Sequence, residues 1–267
     1  MLKKKMGVVD YARSLARILA GKPQVPCSLR GNELLGVILG RRSVRRFVDR
    51  DIPEDVFLAI LEAGRLAPST VNIQTWTFSV FTADSWRATF GNPIPFRAAR
   101  AAIIMGDTHR CGQIVDVFPA SPLVEYTIAV MNASLAAMNM NIAAEALGVS
   151  SVMLSETGRS GFLDAAHIRD KLGLPDGVFP LMTIAFGYAQ GSYPPMPPKL
   201  PLDQICFHGH YRETDAAIME DWMSQMIAGF KASHLSSSFE AQLQLYQSKI
   251  GRAETELKSM VYYRDKA

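Results

Sequence analysis

Residues 127–149 are the longest apolar-rich stretch of the chain, and they restrict what the rest can fold into. The run predicts a helix over 127–147, with alanines at 129, 133, 136, 137, 143, 144 and 146 on several of its faces. A helix that is apolar all round is buried on most sides, and small side chains let neighbouring backbones come close. Asn132, Asn139, Asn141 and Glu145 interrupt the run. A charge at a bilayer centre costs about 2.5–3.5 kcal/mol, so the stretch reads as a core helix and not as a membrane span. Two arrangements satisfy it: the central helix of a monomer, or a helix shared with a second subunit.

The chain has 267 residues, enough for one large domain or two small ones. Its 28 Lys and Arg against 25 Asp and Glu leave a net charge of +3, too small to argue a nucleic-acid partner. Any anion recognition must be local. The three cysteines, at 27, 111 and 206, form no C-x-x-C pair. That argues against a disulfide framework or a zinc ribbon and suits a reducing cytoplasm. Lys3, Lys4 and Lys5 could open a signal peptide, but Asp10, Arg13 and Arg17 break the apolar region it would need. A soluble, cytoplasmic protein without membrane attachment is expected.

Val8, Ala12, Leu15, Ile18 and Leu19 predict a short helix packed on the body, ended by Gly21, Pro23 and Pro26. Asn32 is placed to cap a second helix, with Gly40 as its stop. Asp51 and Pro53 mark a third, which Pro68 limits. Strands are expected at Trp76–Thr82, Ala101–Gly106, Ser151–Leu154 and Leu181–Gly187. Unequal helices between them indicate an α+β or α/β fold with a mixed sheet. Near the end, Phe239, Leu243, Tyr246, Ile250, Ala253, Leu257 and Met260 step by alternating fours and threes, a coiled-coil-type seam. So narrow a stripe needs a partner surface, in this chain or in a neighbouring subunit.

Two segments carry candidate chemistry. On an extended Arg41-Arg42-Ser43-Val44-Arg45, alternate side chains point the same way. Arg41, Ser43 and Arg45 then share one side, and two guanidinium groups flanking a hydroxyl suit a phosphate dianion. The segment reads equally as a solvated basic loop. There is no G-x-G-x-x-G after a strand and no P-loop, so a Rossmann or Walker-type site lacks support. The second segment is Pro68-Ser69-Thr70-Val71-Asn72-Ile73-Gln74-Thr75-Trp76. Its hydroxyls and amides could serve the edge of a planar heterocycle, or bond their own backbone in turns. Cys206, His208 and His210 alternate on what reads as a strand, but no fourth metal ligand is evident. No metal is expected.

Taken together, "RRSVRRF" at 41–47, "IPEDVFLAILEAGRLAPSTVNIQTW" at 52–76, "LAAMNMNIAAEALGVSS" at 135–151 and "KLGLPDGVFPLMTIAFGYA" at 171–189 resemble the FMN-dependent nitroreductase family, in that family's order. The resemblance spans about residues 32–210, flanked by helical extensions at 1–31 and 211–267. It implies an α+β sandwich, a mixed central sheet flanked by helices, in an intertwined homodimer with two FMN molecules at the subunit interface. It assigns Arg41, Ser43 and Arg45, with Arg42 adjacent, to the FMN phosphate and ribityl chain. Ser69, Thr70 and Asn72 would reach the flavin of the partner subunit, with Gln74 near the same ring. Met153 to Gly158 would pass the flavin, drawing in Leu154, Ser155 and Glu156, and a backbone N–H there would meet flavin N5. Lys199 resembles a second phosphate ligand. The implied activity is hydride transfer from NADH or NADPH through FMN to nitroaromatic, quinone or flavin acceptors, in ping-pong order and without a catalytic side chain. Reductive dehalogenation is another chemistry of the family. A flavin-binding sensor or store would carry the same motifs.

Overall fold

The computed structural model describes residues 6–157, 164–234 and 236–266. Along the chain run α1 (Val8–Ala20), α2 (Glu33–Gly40), α3 (Glu54–Arg65), β1 (Trp76–Thr82), α4 (Ala83–Phe90), β2 (Arg100–Asp107), the one-turn α5 (His109–Gly112), α6 (Pro122–Ala146), β3 (Ser150–Leu154), α7 (Ala165–Leu172), β4 (Val178–Gly187), α8 (Ala216–Ser233) and α9 (Phe239–Val261). They divide between two compact units. One is Met1–Pro26 with Pro194–Ser248; the other is Cys27–Tyr193 with Lys249–Ala267.

The larger unit is α+β. Its four strands lie in the order β1-β2-β4-β3, and each neighbouring pair is antiparallel. The parallel element of the expected mixed sheet is confined to one bridge, Ser43 to Ser151, outside the named strands. Ala102 and Ile104 of β2 face one core while Ala101, Ile103 and Met105 face another. This is the period-two alternation of a strand, and both faces are apolar because both are covered. Phe57 and Ile60 of α3 and the alanines of α6 fill the first core. Trp86 and Phe90 of α4 and Ile168 of α7 fill the second. Small residues set the approach of helix to sheet: a Cβ added at Gly106 would lie 2.8 Å from that of Ala129.

The start of α2 follows its local chemistry. Asn32 Oδ1 accepts the Leu35 N–H at 2.9 Å, as its cap position predicts. Gly40 does not end α2 through a left-handed turn; Arg41 follows it at φ −53°. The Arg42 guanidinium closes the helix instead, donating to the carbonyls of Leu39, Gly40 and Arg41 at 2.8, 3.1 and 2.8 Å. A cation is favourable at that end of the helix dipole.

The alanine-rich helix is longer than 127–147 and buried on fewer sides than expected. Ala129, Ala133, Ala136, Ala137, Met140 and Ala144 are inside, whereas Leu123, Val124, Met131, Leu135 and Met138 are exposed in the single chain. A contiguous apolar face of this kind marks an interaction surface.

In the smaller unit α1 lies along α8. Arg17 pairs with Asp221, and Lys231 Nζ sits 5.2 Å from the centre of the Tyr11 ring. The partner of the N-terminal helix is thus α8 of its own unit. Cys206, His208 and His210 lie on irregular backbone and not on a strand. Among the described residues no helix is long and apolar enough to cross a membrane.

The stripe of α9 splits in two. Leu243, Tyr246 and Ile250 are exposed, while Ala253 and Met260 are buried and Leu257 packs against the first core. Beyond the helix, Tyr263 donates its hydroxyl to Glu125 Oε1 at 3.0 Å and Arg264 pairs with Asp116 at 2.9 Å. The far half of the stripe therefore finds its surface in its own chain. Met260→Ala should lower the unfolding free energy by about 2–5 kcal/mol in urea denaturation, whereas Ile250→Ala should stay within about 0.5 kcal/mol. Equal effects at the two positions would contradict this division.

Candidate functional site

Arg41, Ser43 and Arg45 lie on the extended segment after α2. The Ser43–Ser151 bridge and a 3.1 Å bond from the Val44 N–H to the Ser151 carbonyl fasten that segment to the outer edge of β3. Val44 is buried between half-buried Arg41, Arg42 and Ser43 on one side and exposed Arg45 and Arg46 on the other. Among the described residues neither Arg41 nor Arg45 is in a salt bridge. Arg42 is different, because one of its amino groups is committed to the end of α2.

Behind this strip the Ser151 hydroxyl donates to Asn141 Oδ1, and Asn141 Nδ2 donates to Met153 Sδ at 3.4 Å. Tyr193 OH lies 2.9 Å from Ser150 Oγ and donates to Glu145 Oε2 at 3.3 Å. Burial pushes the Glu145 carboxyl up, against the Tyr193 hydrogen bond and the charges of Arg41 and Arg42. Leu154 ends β3, and Leu154, Ser155 and Glu156 are all half-buried. Burial likewise raises the Glu156 carboxyl, opposed by Lys249. Thr157 closes this stretch by donating its N–H and hydroxyl to Asp164 Oδ2 at 3.2 and 2.9 Å. Gly158 lies outside the described residues.

The Ser69–Gln74 turn runs into β1. Gln74 N–H donates to Ser69 Oγ, and Asn72 N–H to the Ser69 carbonyl, both at 3.1 Å. Thr70, Asn72 and Gln74 are exposed.

Strand register separates this turn from the arginine strip. Trp76 pairs with Gly106, and Gly106 with Phe179; Ser151 pairs with Phe186. The strip thus lies seven residues further along β4, on the opposite edge of the sheet. At about 3.3 Å per residue and 4.8 Å per strand, the two corners are on the order of 30 Å apart. One chain brings Arg41, Ser43 and Arg45 together with Leu154, Ser155 and Glu156 along one edge. It sets Ser69, Thr70, Asn72 and Gln74 at the diagonally opposite corner. Lys199 is exposed in the Pro-rich stretch of the smaller unit.

The family model described as the nitroreductase family matches residues 38–94 and 87–188. The chain belongs to the nitroreductase family. It is 32% identical over 162 residues to a protein of Archaeoglobus fulgidus, to which NADH dehydrogenase/NAD(P)H nitroreductase activity is ascribed by inference; the match covers 58% of this chain and 85% of that one. It is 26% identical over 208 residues to an NADPH-dependent oxidoreductase of Staphylococcus aureus, covering 72% and 80%. Among solved structures, NfrA2 of B. megaterium superposes with a TM-score of 0.72 at 18% identity, covering 87% of this chain and 97% of that one. The NADPH:FMN oxidoreductase of Vibrio harveyi, complexed with NAD+, gives 0.62 at 24% identity, covering 82% and 98%. At these identities the two structures establish the nitroreductase fold and no more.

In this member of the nitroreductase family, sequence reading did not single out Asn141, Ser150, Ser151 or Tyr193, the polar side chains that lie behind the strip. The signal for Asn141 was present: an amide inside an apolar helix needs a hydrogen-bond partner once buried. Ser150, Ser151 and Tyr193 carried no such mark.

Proposed function

We propose that the protein is an FMN-dependent NAD(P)H oxidoreductase that works as a homodimer and reduces small nitroaromatic, quinone-like or flavin acceptors. What favours this reading is the diagonal separation of the two polar segments within one chain. FMN is too short to touch both corners of one sheet, so a site using both needs the strip of one copy and the turn of another. The exposed face of α6, with Met131, Leu135 and Met138, offers the apolar surface on which a second copy would sit. The donor set also fits the cofactor: two guanidinium groups that make no salt bridge among the described residues flank a hydroxyl on a strip held by backbone bonds, which suits a phosphate dianion.

Arg41 and Arg45 would hold the phosphate, with Ser43 donating to it or to the ribityl chain. Ser69, Thr70, Asn72 and Gln74 of the second copy would meet the edge of the ring. Leu154, Ser155 and Glu156 would lie along it, with a backbone N–H directed at N5. When bound, FMN supplies the hydride chemistry, accepting from NADH or NADPH and passing on to the acceptor in ping-pong order. The similar Staphylococcus and Vibrio proteins, an NADPH-dependent and an NADPH:FMN oxidoreductase, support this donor and cofactor. Three free cysteines suit the cytoplasmic setting we assign.

The absorption spectrum of the FMN-loaded protein tests the reading. NADPH or NADH should bleach the flavin bands anaerobically, and a quinone or nitroaromatic should restore them. Flavin that binds but stays oxidised would leave a sensor or store; a protein that retains no flavin would remove the reading.

A further inference from the structure

Asn132 sits on the inner side of α6, 2% exposed, and no role given above to the flavin ligands includes it. Its Oδ1 accepts both the Thr70 N–H, at 3.1 Å, and the Thr70 hydroxyl, at 3.3 Å. Its Nδ2 donates to Thr75 Oγ1 at 2.8 Å. Thr75 is itself fully buried, and its carbonyl accepts the Asp107 N–H from the end of β2. One amide thus ties both ends of the turn to the central helix. Between these anchors Val71, Asn72 and Gln74 take φ values of 41°, 59° and 48°. A β-branched residue in the left-handed region is an outlier, and such strain persists only where the surroundings over-determine it. The buried positions of α6 on either side, Ala129, Ala133 and Ala136, are apolar. A polar side chain in that row is explained by the turn it bonds.

We propose that Asn132 is a positioning residue for the cofactor. It holds the Ser69–Gln74 turn in its left-handed form before the flavin arrives, so the side chains of that turn present a fixed edge to the ring bound by the other copy. This rests on the reading above, that the turn meets a flavin. Contacts made by a preset turn lose less freedom on binding, and a hydrogen-bonded support behind the contacting residues fixes their geometry.

Asn132→Leu, close to isosteric, is the test, made on the full-length FMN-loaded protein. The FMN Kd should rise about tenfold, and the visible band and midpoint potential of the bound flavin should move towards those of free FMN. A purely structural residue would give a lower thermal midpoint with native Kd, spectrum and potential at saturating FMN, and that result overturns the proposal. Should Asn132→Leu fail to fold, Thr75→Val removes only the acceptor of Asn132 Nδ2. It should raise the Kd about threefold with the same direction of spectral change; an unchanged spectrum and potential again overturn the proposal. Arg45→Ala run in parallel separates the two levels. Weakened FMN binding in Arg45→Ala but none at Asn132 or Thr75 sinks the positioning role alone, and no weakening in any of them sinks the flavin reading with it.

Discussion

Changing Arg41 and Arg45 together to alanine should yield a folded protein that loses FMN during gel filtration. Neither side chain takes part in a salt bridge among the described residues, and Arg45 is exposed. Their removal should therefore alter unfolding by no more than about 0.5 kcal/mol, as for ordinary surface substitutions. Each charge-assisted bond to a phosphate contributes about 1.5–3 kcal/mol, so Arg45→Ala alone should weaken FMN about tenfold or more. The double variant should exceed roughly a hundredfold, less any coupling between neighbours. Titration of apo-protein with FMN, followed by flavin fluorescence, reads the affinity, and circular dichroism confirms the fold. Arg42→Ala is the contrast. Its guanidinium closes α2, so its loss should act on the helix end and on thermal stability more than on the phosphate. Native FMN affinity in both the single and the double variant would remove the strip from the site.

The arginine strip was legible because it depends on local geometry. An extended segment alternates its side chains whatever surrounds it, and Val44 turning inward while Arg45 turns out is what that alternation requires. The four strands were legible as one aromatic and β-branched run, Trp76–Thr82, and three short apolar runs between helices, Ala101–Gly106, Ser151–Leu154 and Leu181–Gly187. The role of Arg42 was not legible, since a guanidinium beside two others looks like part of the same cluster until its helix end is seen. The antiparallel pairing of every strand was hidden too, because pairing partners are set by long-range packing that no local pattern records. Along α9, heptad spacing identified the stripe but not what covers it. Met260 meets its own core and Leu243 does not, a difference decided by where the chain returns to the sheet. The turn at 69–74 looked like any polar turn. Its distinguishing features, left-handed residues without glycine and a tie to Asn132 some sixty residues away, arise only from tertiary structure.

Two inactive variants should restore activity when their subunits are mixed. One carries Arg41→Ala with Arg45→Ala. The other carries Asn72→Gly with Gln74→Gly, which removes both turn side chains while keeping backbone that glycine adopts without strain, since both positions have positive φ. If each site combines the strip of one copy with the turn of the other, each homodimer has a lesion in both of its sites. A mixed dimer concentrates both lesions in one site and leaves the second site native. Random reassortment of equal amounts after unfolding and refolding makes half the dimers mixed, so NADPH-dependent turnover should return to about one quarter of the native level for a two-fold symmetric pair. If strip and turn served a site within one chain, every site in every combination would keep one lesion, and mixing would recover nothing. The register of β1, β2, β4 and β3 sets the two segments at opposite corners of the sheet, which is why recovery is the expected result. Activity that stays at the level of the separate variants, in a mixture shown by mass to contain mixed dimers, would mean that no site combines the strip of one copy with the turn of the other.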